Sequence, residues 1–200
     1  ALDAIDALLE QEASGYFLLD GLPGTGKSTF LAKLAVDRKY KVHRFVGFSQ
    51  DSASTVSCLC DLCRQISFAY HLPVPDEPTP VDQYGPFVAA LLLHLSNALG
   101  SRKCVIVVDG VDNLTDLASG AKANALCLPS ELPPNVYFIL SARARSRIHM
   151  RVRTLRRHTL GSDATDANDV IAGLIASWLN NARARSWIRD KGMTTAEATQ

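Results

Sequence analysis

The chain has 200 residues, 47% of them hydrophobic, and its 21 basic and 20 acidic residues give a net charge of +1. This composition allows one domain with a large buried core, plus a small appendage. The near-neutral charge gives no general attraction to nucleic acid or to an anionic membrane surface. No apolar run reaches the roughly 18 residues that a membrane span needs, so we expect no membrane partner.

The first half of the chain alternates between two kinds of pattern. Residues 1–12 have the apolar spacing of an amphipathic helix, and the apolar run 16–20 indicates a buried strand that ends at a glycine-rich stretch. A helix is predicted over 27–37, a second strand over 41–49 and a second long helix over 54–70. The acidic, amphipathic start is not a signal peptide, and because the chain begins with Ala we interpret it as a piece of a longer protein.

The second half continues the alternation. Residues 72–80 carry four prolines and predict an exposed linker, and apolar spacing then indicates a helix that ends near Leu99. The valine-rich run 104–110 is typical of a parallel strand that is buried on both faces. A further buried strand is predicted over 136–142, and a short last one over 158–160.

This order predicts an α/β fold with a mostly parallel sheet flanked by helices. We assign residues 1–160 to this core and residues 161–200 to the start of a small C-terminal helical appendage, which we expect to be truncated. In open sheets of this kind, ligands bind at the carboxyl ends of the strands. Polar residues stand at three such ends, in the stretches 21–28, 109–113 and 141–143.

Five cysteines, an odd number, argue against a disulfide scaffold and favour a reducing compartment, so we expect a cytoplasmic protein. Three of them lie in CLCDLC, residues 58–63, which invites a metal-binding interpretation. Apolar residues recur there at three- and four-residue spacing, and this favours a helix with Cys63 in its core-facing seam and Cys60 pointing elsewhere. No second Cys or His pair follows at zinc spacing, so we do not predict a metal site here.

The stretch GLPGTGKSTF, residues 21–30, matches the pattern G-x-x-x-x-G-K-[ST] between a predicted strand and a predicted helix. Glycines let backbone N–H groups turn toward an anion, and the start of the helix adds the positive end of its dipole. Lys27 would reach the β- and γ-phosphates, and the Ser28 hydroxyl would bind Mg²⁺. The predicted phosphate-binding residues are Gly21, Leu22, Pro23, Gly24, Thr25, Gly26, Lys27, Ser28 and Thr29.

A magnesium nucleotide also needs a carboxylate on the far side of the metal. Asp109 ends the predicted strand over 104–110, and we expect this strand to lie beside the strand of the phosphate loop. The predicted metal ligands are therefore Ser28 and Asp109. Asp112 follows three residues later and could orient a water molecule, although it could instead cap the turn that follows.

Two of these motifs carry a family resemblance. GLPGTGKSTFLAKLA, residues 21–35, together with CVIVVDGVDNL, residues 104–114, resembles the NACHT ATPases of the STAND class of signal-transducing P-loop proteins. That family's second motif is an apolar strand followed by Asp, Gly, an apolar residue, Asp and usually Glu. Residues 109–112 match it, whereas Asn113 stands where Glu is common. If that acid helps hydrolysis, turnover here is slow.

A third motif, ILSARA at residues 139–144, resembles the sensor strand of the same family. The resemblance implies that Arg143 contacts the γ-phosphate or reports its loss, so Lys27, Asp112 and Arg143 are the predicted catalytic residues. It also implies that the strand of Asp109 and the sensor strand both lie beside the phosphate-loop strand. The implied activity is ATP/ADP switching with weak ATPase activity, inside a larger sensor protein that oligomerises.

Three other functions remain open at the level of sequence. An ATPase motor of the AAA+ or origin-recognition type usually carries an acid directly after the magnesium Asp, where this chain has Gly110. A non-hydrolysing nucleotide-dependent scaffold is compatible with Asn113. A small-molecule kinase would need an acceptor site that no motif indicates.

Residues 143–157 contain seven arginines. They could contact nucleic acid, a phosphate of a neighbouring subunit or another domain, or they could form a solvated loop. The neutral overall charge and the lack of interleaved aromatic residues argue against nucleic acid.

Overall fold

A computed structural model describes residues 1–47, 53–73, 84–114, 125–144 and 150–161. Within them, five parallel strands form one sheet with two helices on each face. The elements in chain order are α1 (Leu2–Gln11), β1 (Gly15–Gly21), α2 (Lys27–Asp37), β2 (Val42–Phe45), α3 (Thr55–Tyr70), α4 (Tyr84–Leu99), β3 (Cys104–Asp109), β4 (Val136–Arg143) and β5 (Leu155–Leu160). The predicted α/β fold class is confirmed.

The strands lie in the order β2-β3-β4-β1-β5. The expectation that the strand of Asp109 borders the phosphate-loop strand is wrong, because β4 lies between β3 and β1. Continuous apolar runs show that a strand is central but do not specify its neighbours. The order puts the end of β4 between the phosphate loop and Asp109.

The central strands are buried on both faces, as their continuous apolar runs predict. Along β1, Tyr16 and Leu18 pack with α3 and α4, while Phe17 and Leu19 pack with α1 and α2. This alternation is the two-residue period of a strand. A sheet covered on both faces leaves only its edges for polar chemistry.

The two edge strands differ from their predicted lengths. β2 ends at Phe45, so it is shorter than the predicted 41–49, of which residues 48 and 49 lie outside the described part of the chain. β5 is longer than predicted and begins at Leu155. Its residues are partly buried or exposed, and its two arginines weaken the apolar signal. Pairing with β1 rather than composition therefore defines this strand.

Helix α3 begins after Ser54, whose hydroxyl accepts a hydrogen bond from the Ser57 N–H, as expected of an N-cap. Cys63 lies in the core as predicted, but Cys60 is buried as well, with its sulfur 3.6 Å from the Tyr84 hydroxyl. The prediction for Cys60 was wrong because it considered a single seam of α3, whereas α4 covers a second one.

Several predicted features lie outside the described residues. These are the appendage over 162–200, most of the proline-rich linker and the middle of the arginine-rich stretch. Among the described helices, none is both long and apolar enough to cross a membrane.

Two neighbouring leucines of α4 test the packing of the helix layer. Leu92 is fully buried, whereas Leu93 is 53% exposed. We expect Leu92→Ala to lower the free energy of unfolding by about 2–5 kcal/mol, because it leaves a cavity in the core. Leu93→Ala should change it by less than about 0.5 kcal/mol. Urea unfolding of both variants measures the difference, and equal effects would contradict this orientation of α4.

Candidate functional site

The predicted phosphate loop connects β1 to α2 at the carboxyl edge of the sheet. Gly24 and Gly26 both adopt φ of +82°, in the left-handed region that side chains disfavour. Helix α2 begins at Lys27, with Ser28 and Thr29 exposed in its first turn. The N–H groups of a first turn have no partner within their helix, so they are available to an anion.

The Lys27 ammonium lies over the loop that precedes it. It donates hydrogen bonds to the carbonyl oxygens of Gly21 (2.9 Å) and Leu22 (2.8 Å), and to the Thr25 hydroxyl at 3.4 Å. These acceptors are neutral, and no described carboxylate forms a salt bridge with Lys27. Its positive charge is therefore available to an anionic ligand at the loop.

Partial burial lowers the pKa of Lys27 below its ordinary value. The negative charges of Asp112, Asp109 and Asp20 oppose this shift, and the positive charge of Arg143 adds to it. The charges of these four side chains therefore lie close enough to Lys27 to change its pKa. An anion bound at the loop would favour the protonated ammonium in the same way as the three carboxylates do.

Asp109 is 4% exposed at the end of β3. Its carboxylate accepts a hydrogen bond of 2.5 Å from the Ser141 hydroxyl on the neighbouring strand β4. The Ser141 oxygen in turn accepts from the Gly110 N–H at 2.9 Å. Ser141 thus fixes the buried acid and the turn that follows it, a role that the sensor-strand motif alone did not indicate.

Arg143 ends β4 and contacts the turn after β3. Its Nε donates to the Asp112 carboxylate, and its Nη2 donates to the side-chain oxygen of Asn113 at 3.1 Å. The Asp112 side chain is 6% exposed and that of Arg143 is 55% exposed. Two of the three predicted catalytic residues, Asp112 and Arg143, therefore form an ion pair with each other. Asp112 lies in the short 3₁₀ turn Val111–Asn113, whose N-cap residue is Gly110.

The described loops enclose a cleft of about 210 Å³ at this edge. Of the predicted phosphate-binding residues, Pro23, Gly24, Lys27 and Ser28 line it. The residues Asp109, Asp112, Ser141 and Arg143 line it as well. The remaining predicted loop residues, Gly21, Leu22, Thr25, Gly26 and Thr29, do not line the cleft.

Sequence reasoning missed three contributors. Asp20, the residue before the first glycine, has one buried carboxylate oxygen without a hydrogen-bond partner and acts on Lys27 by its charge. Val46 and Gly47 line the cleft from the end of β2. The acid before the glycine was visible in the sequence, but the approach of β2 to the turn after β3 was not.

A larger cavity of about 310 Å³ lies at the other edge of the sheet, where β1 begins. Several polar groups around it pair with the protein itself. The Ser14 hydroxyl donates to the Leu132 carbonyl oxygen at 2.8 Å, and Arg153 forms a salt bridge with Glu131. This cavity contains none of the predicted site residues.

Comparison with known proteins agrees with the resemblance of the motifs. No protein-family model matches the chain. NACHT domain- and WD repeat-containing protein 1 of Homo sapiens is 31% identical over an alignment of 137 residues that covers 62% of this chain and 8% of that protein. The Mus musculus protein of the same name is 30% identical over 151 residues, 70% of this chain and 9% of that protein. The chain spans less than a tenth of the length of these relatives.

The parallel sheet and the glycine-rich loop between β1 and α2 define an α/β domain of the P-loop NTPase type. The matches to the two NACHT proteins support a NACHT-type domain, as the motifs predicted. Fold and similarity together indicate a nucleotide-binding domain.

Removal of the Ser141 hydroxyl tests the connection between β3 and β4. Ser141→Ala leaves the Gly110 N–H and a buried oxygen of Asp109 without this partner. We expect the free energy of unfolding to fall by about 1–3 kcal/mol. Ser96→Ala is the control, because the Ser96 hydroxyl makes one exposed bond to the Pro134 carbonyl oxygen, so its loss should cost less than about 0.5 kcal/mol. Equal losses in chemical denaturation would argue against this role for Ser141.

Proposed function

We propose that this chain is an ATP-binding switch domain with slow, magnesium-dependent ATP hydrolysis, and that it belongs to a larger sensor protein that oligomerises. The observation that carries the proposal is the cleft, which Lys27 lines together with Asp109 and Asp112, whose negative charges act on its ammonium. A triphosphate with its metal ion needs both kinds of charge in one site. ADP and ATP are the expected ligands.

The oxygen donors of the cleft fit Mg²⁺. This ion takes oxygen ligands, and proteins usually bind it through one or two carboxylates together with the phosphates of the substrate. Ser28 and Asp109 would supply the protein oxygens. Bound Mg²⁺ would neutralise the charge of the phosphate oxygens.

Arg143 and Asp112 would couple the ligand to the protein. The guanidinium of Arg143 is half exposed at the cleft, so a γ-phosphate would compete with Asp112 for it. An arginine drawn to the phosphate would free the Asp112 carboxylate to orient the attacking water. Loss of the γ-phosphate would restore the ion pair. The end of β4 would then report which nucleotide is bound.

One alternative has an observation of its own. Asp112 is paired with Arg143, and position 113 carries an amide. Apart from the predicted magnesium ligand Asp109, the described cleft therefore has no unpaired carboxylate that could activate a water molecule. A non-hydrolysing scaffold that retains ATP is therefore the second candidate function. A fast motor is not favoured, because Gly110 follows Asp109 directly.

The proposal includes an intracellular, cytoplasmic location. All five cysteines are free thiols, and burial raises the pKa of Cys104 to about 11. Buried thiols with a raised pKa stay protonated, as suits a reducing compartment. Self-association would require parts of the longer protein, so we place it with that protein and not with this chain alone.

Replacement of the phosphate-loop lysine tests nucleotide binding. We expect Lys27→Ala to weaken the affinity for ADP and ATP by about tenfold or more, because it removes a charged donor to phosphate. Lys33→Ala is the matched control, since Lys33 lies on the same helix with a 75% exposed side chain and should leave both affinities unchanged. Titration calorimetry measures both variants. Equal affinities in the two would contradict the assignment of this loop.

Timed incubation with ATP and Mg²⁺ separates the candidate functions. We expect slow formation of ADP that stays bound, abolished in Lys27→Ala, as measured by chromatography of the released nucleotide. Multiple rapid turnovers would favour a motor, and lasting retention of ATP would favour the scaffold.

A further inference from the structure

Asn113 lies where three strands end together. Its N–H donates to the Gly110 carbonyl oxygen at 2.9 Å, which closes the 3₁₀ turn after β3. Its side chain reaches Gly47 after β2 on one side and Arg143 at the end of β4 on the other. No motif that we matched assigns a role to an amide at this position.

Two glycines leave the space that this amide occupies. A Cβ added to Gly47 would lie 3.0 Å from Asn113 Nδ2, and one added to Gly110 would lie 2.9 Å from the same atom. Both glycines have positive φ, of +97° and +72°. The backbone at both positions thus favours glycine, and the amide is held between them, with its oxygen directed to Arg143.

The amide completes the orientation of Arg143. One guanidinium nitrogen donates to Asp112 and another donates to Asn113. A half-exposed arginine with a single partner can adopt many rotamers, whereas two partners fix its planar fork. Asn113 is neutral, so it fixes the direction of Arg143 with a weaker hydrogen bond than a second carboxylate would make.

We propose that Asn113 is a positioning residue that orients Arg143 for recognition of the γ-phosphate. Because its amide is neutral, Asn113 holds Arg143 weakly, so that Arg143 can leave Asp112 and bind the phosphate. This inference rests on the proposed function, since it requires a bound nucleotide. The NACHT ATPases commonly have Glu at this position. In this chain, the residue there would serve recognition of the phosphate and not its hydrolysis. Asn113 acts through Arg143 and does not itself contact the phosphate.

A double-mutant cycle tests this dependence. The quantity measured is the ratio of ATP affinity to ADP affinity, determined by calorimetry for the wild type, Asn113→Ala, Arg143→Ala and the double variant. We expect each single substitution to lower the ratio by about tenfold, the effect of losing one hydrogen bond to a charged group, with ADP affinity nearly unchanged. The double variant should be no worse than Arg143→Ala, because Asn113 acts only through that side chain.

Controls separate positioning from general structure. Asn97→Ala on the exposed side of α4 should leave the ratio unchanged. If Asn113→Ala does not fold, Asn113→Ser replaces it in the cycle, because a serine hydroxyl is too short to reach Arg143. Additive losses, or an equal loss of ADP affinity, would mean that Asn113 only supports the turn, and this would overturn the inference.

Two further outcomes separate this inference from the proposed function. A wild type that binds no nucleotide would overturn both. A wild type that binds ATP and ADP, but whose affinity ratio does not change in Arg143→Ala, would overturn the role of Asn113 and leave nucleotide binding intact.

Discussion

The Ser141 hydroxyl joins the two strand ends on which the cleft depends. A hydroxyl has one proton and two lone pairs, so it can donate to the Asp109 carboxylate while it accepts from the Gly110 N–H. Asp109 is almost fully buried, and a buried carboxylate without partners carries a high desolvation cost. The acid can therefore lie in the cleft only because β4 borders β3 and brings Ser141 alongside it.

The cations of the cleft have different partners. Lys27 donates to neutral oxygens of its own loop, whereas Arg143 forms an ion pair with Asp112. A ligand that carries several negative charges would gain from both cations, and among the described residues the Asp112 carboxylate on Arg143 is the one charged partner that it would have to displace from them. This asymmetry links binding at the phosphate loop to the end of β4, two elements that pair directly with one another in the sheet.

The position of the cleft follows from the burial of the sheet. Most residues within β1, β3 and β4 are apolar because both faces of the sheet are buried in the core, and the polar residues Asp109, Ser141 and Arg143 stand at or near the carboxyl ends of their strands. All five strands are parallel, and their carboxyl ends therefore meet at one edge. Among the described residues, the polar side chains of the cleft therefore lie at those ends or in the segments just past them. Lys27, Asp112 and Asn113 belong to the second group.

Local signals in the sequence determined the phosphate loop, the start of α2 and the two most buried strands, because glycine spacing and continuous apolar runs act over a few residues. The sequence also identified Asp109 and Arg143 as polar residues at strand ends. It could not determine that β4 separates β1 from β3, since strand order depends on contacts between distant segments. The hydrogen bond from Ser141 to Asp109 follows from that order, and so does the position of the Asn113 side chain between Gly47, Gly110 and Arg143. Only the tertiary structure decided them, because their partners are brought together by packing and not by spacing along the chain.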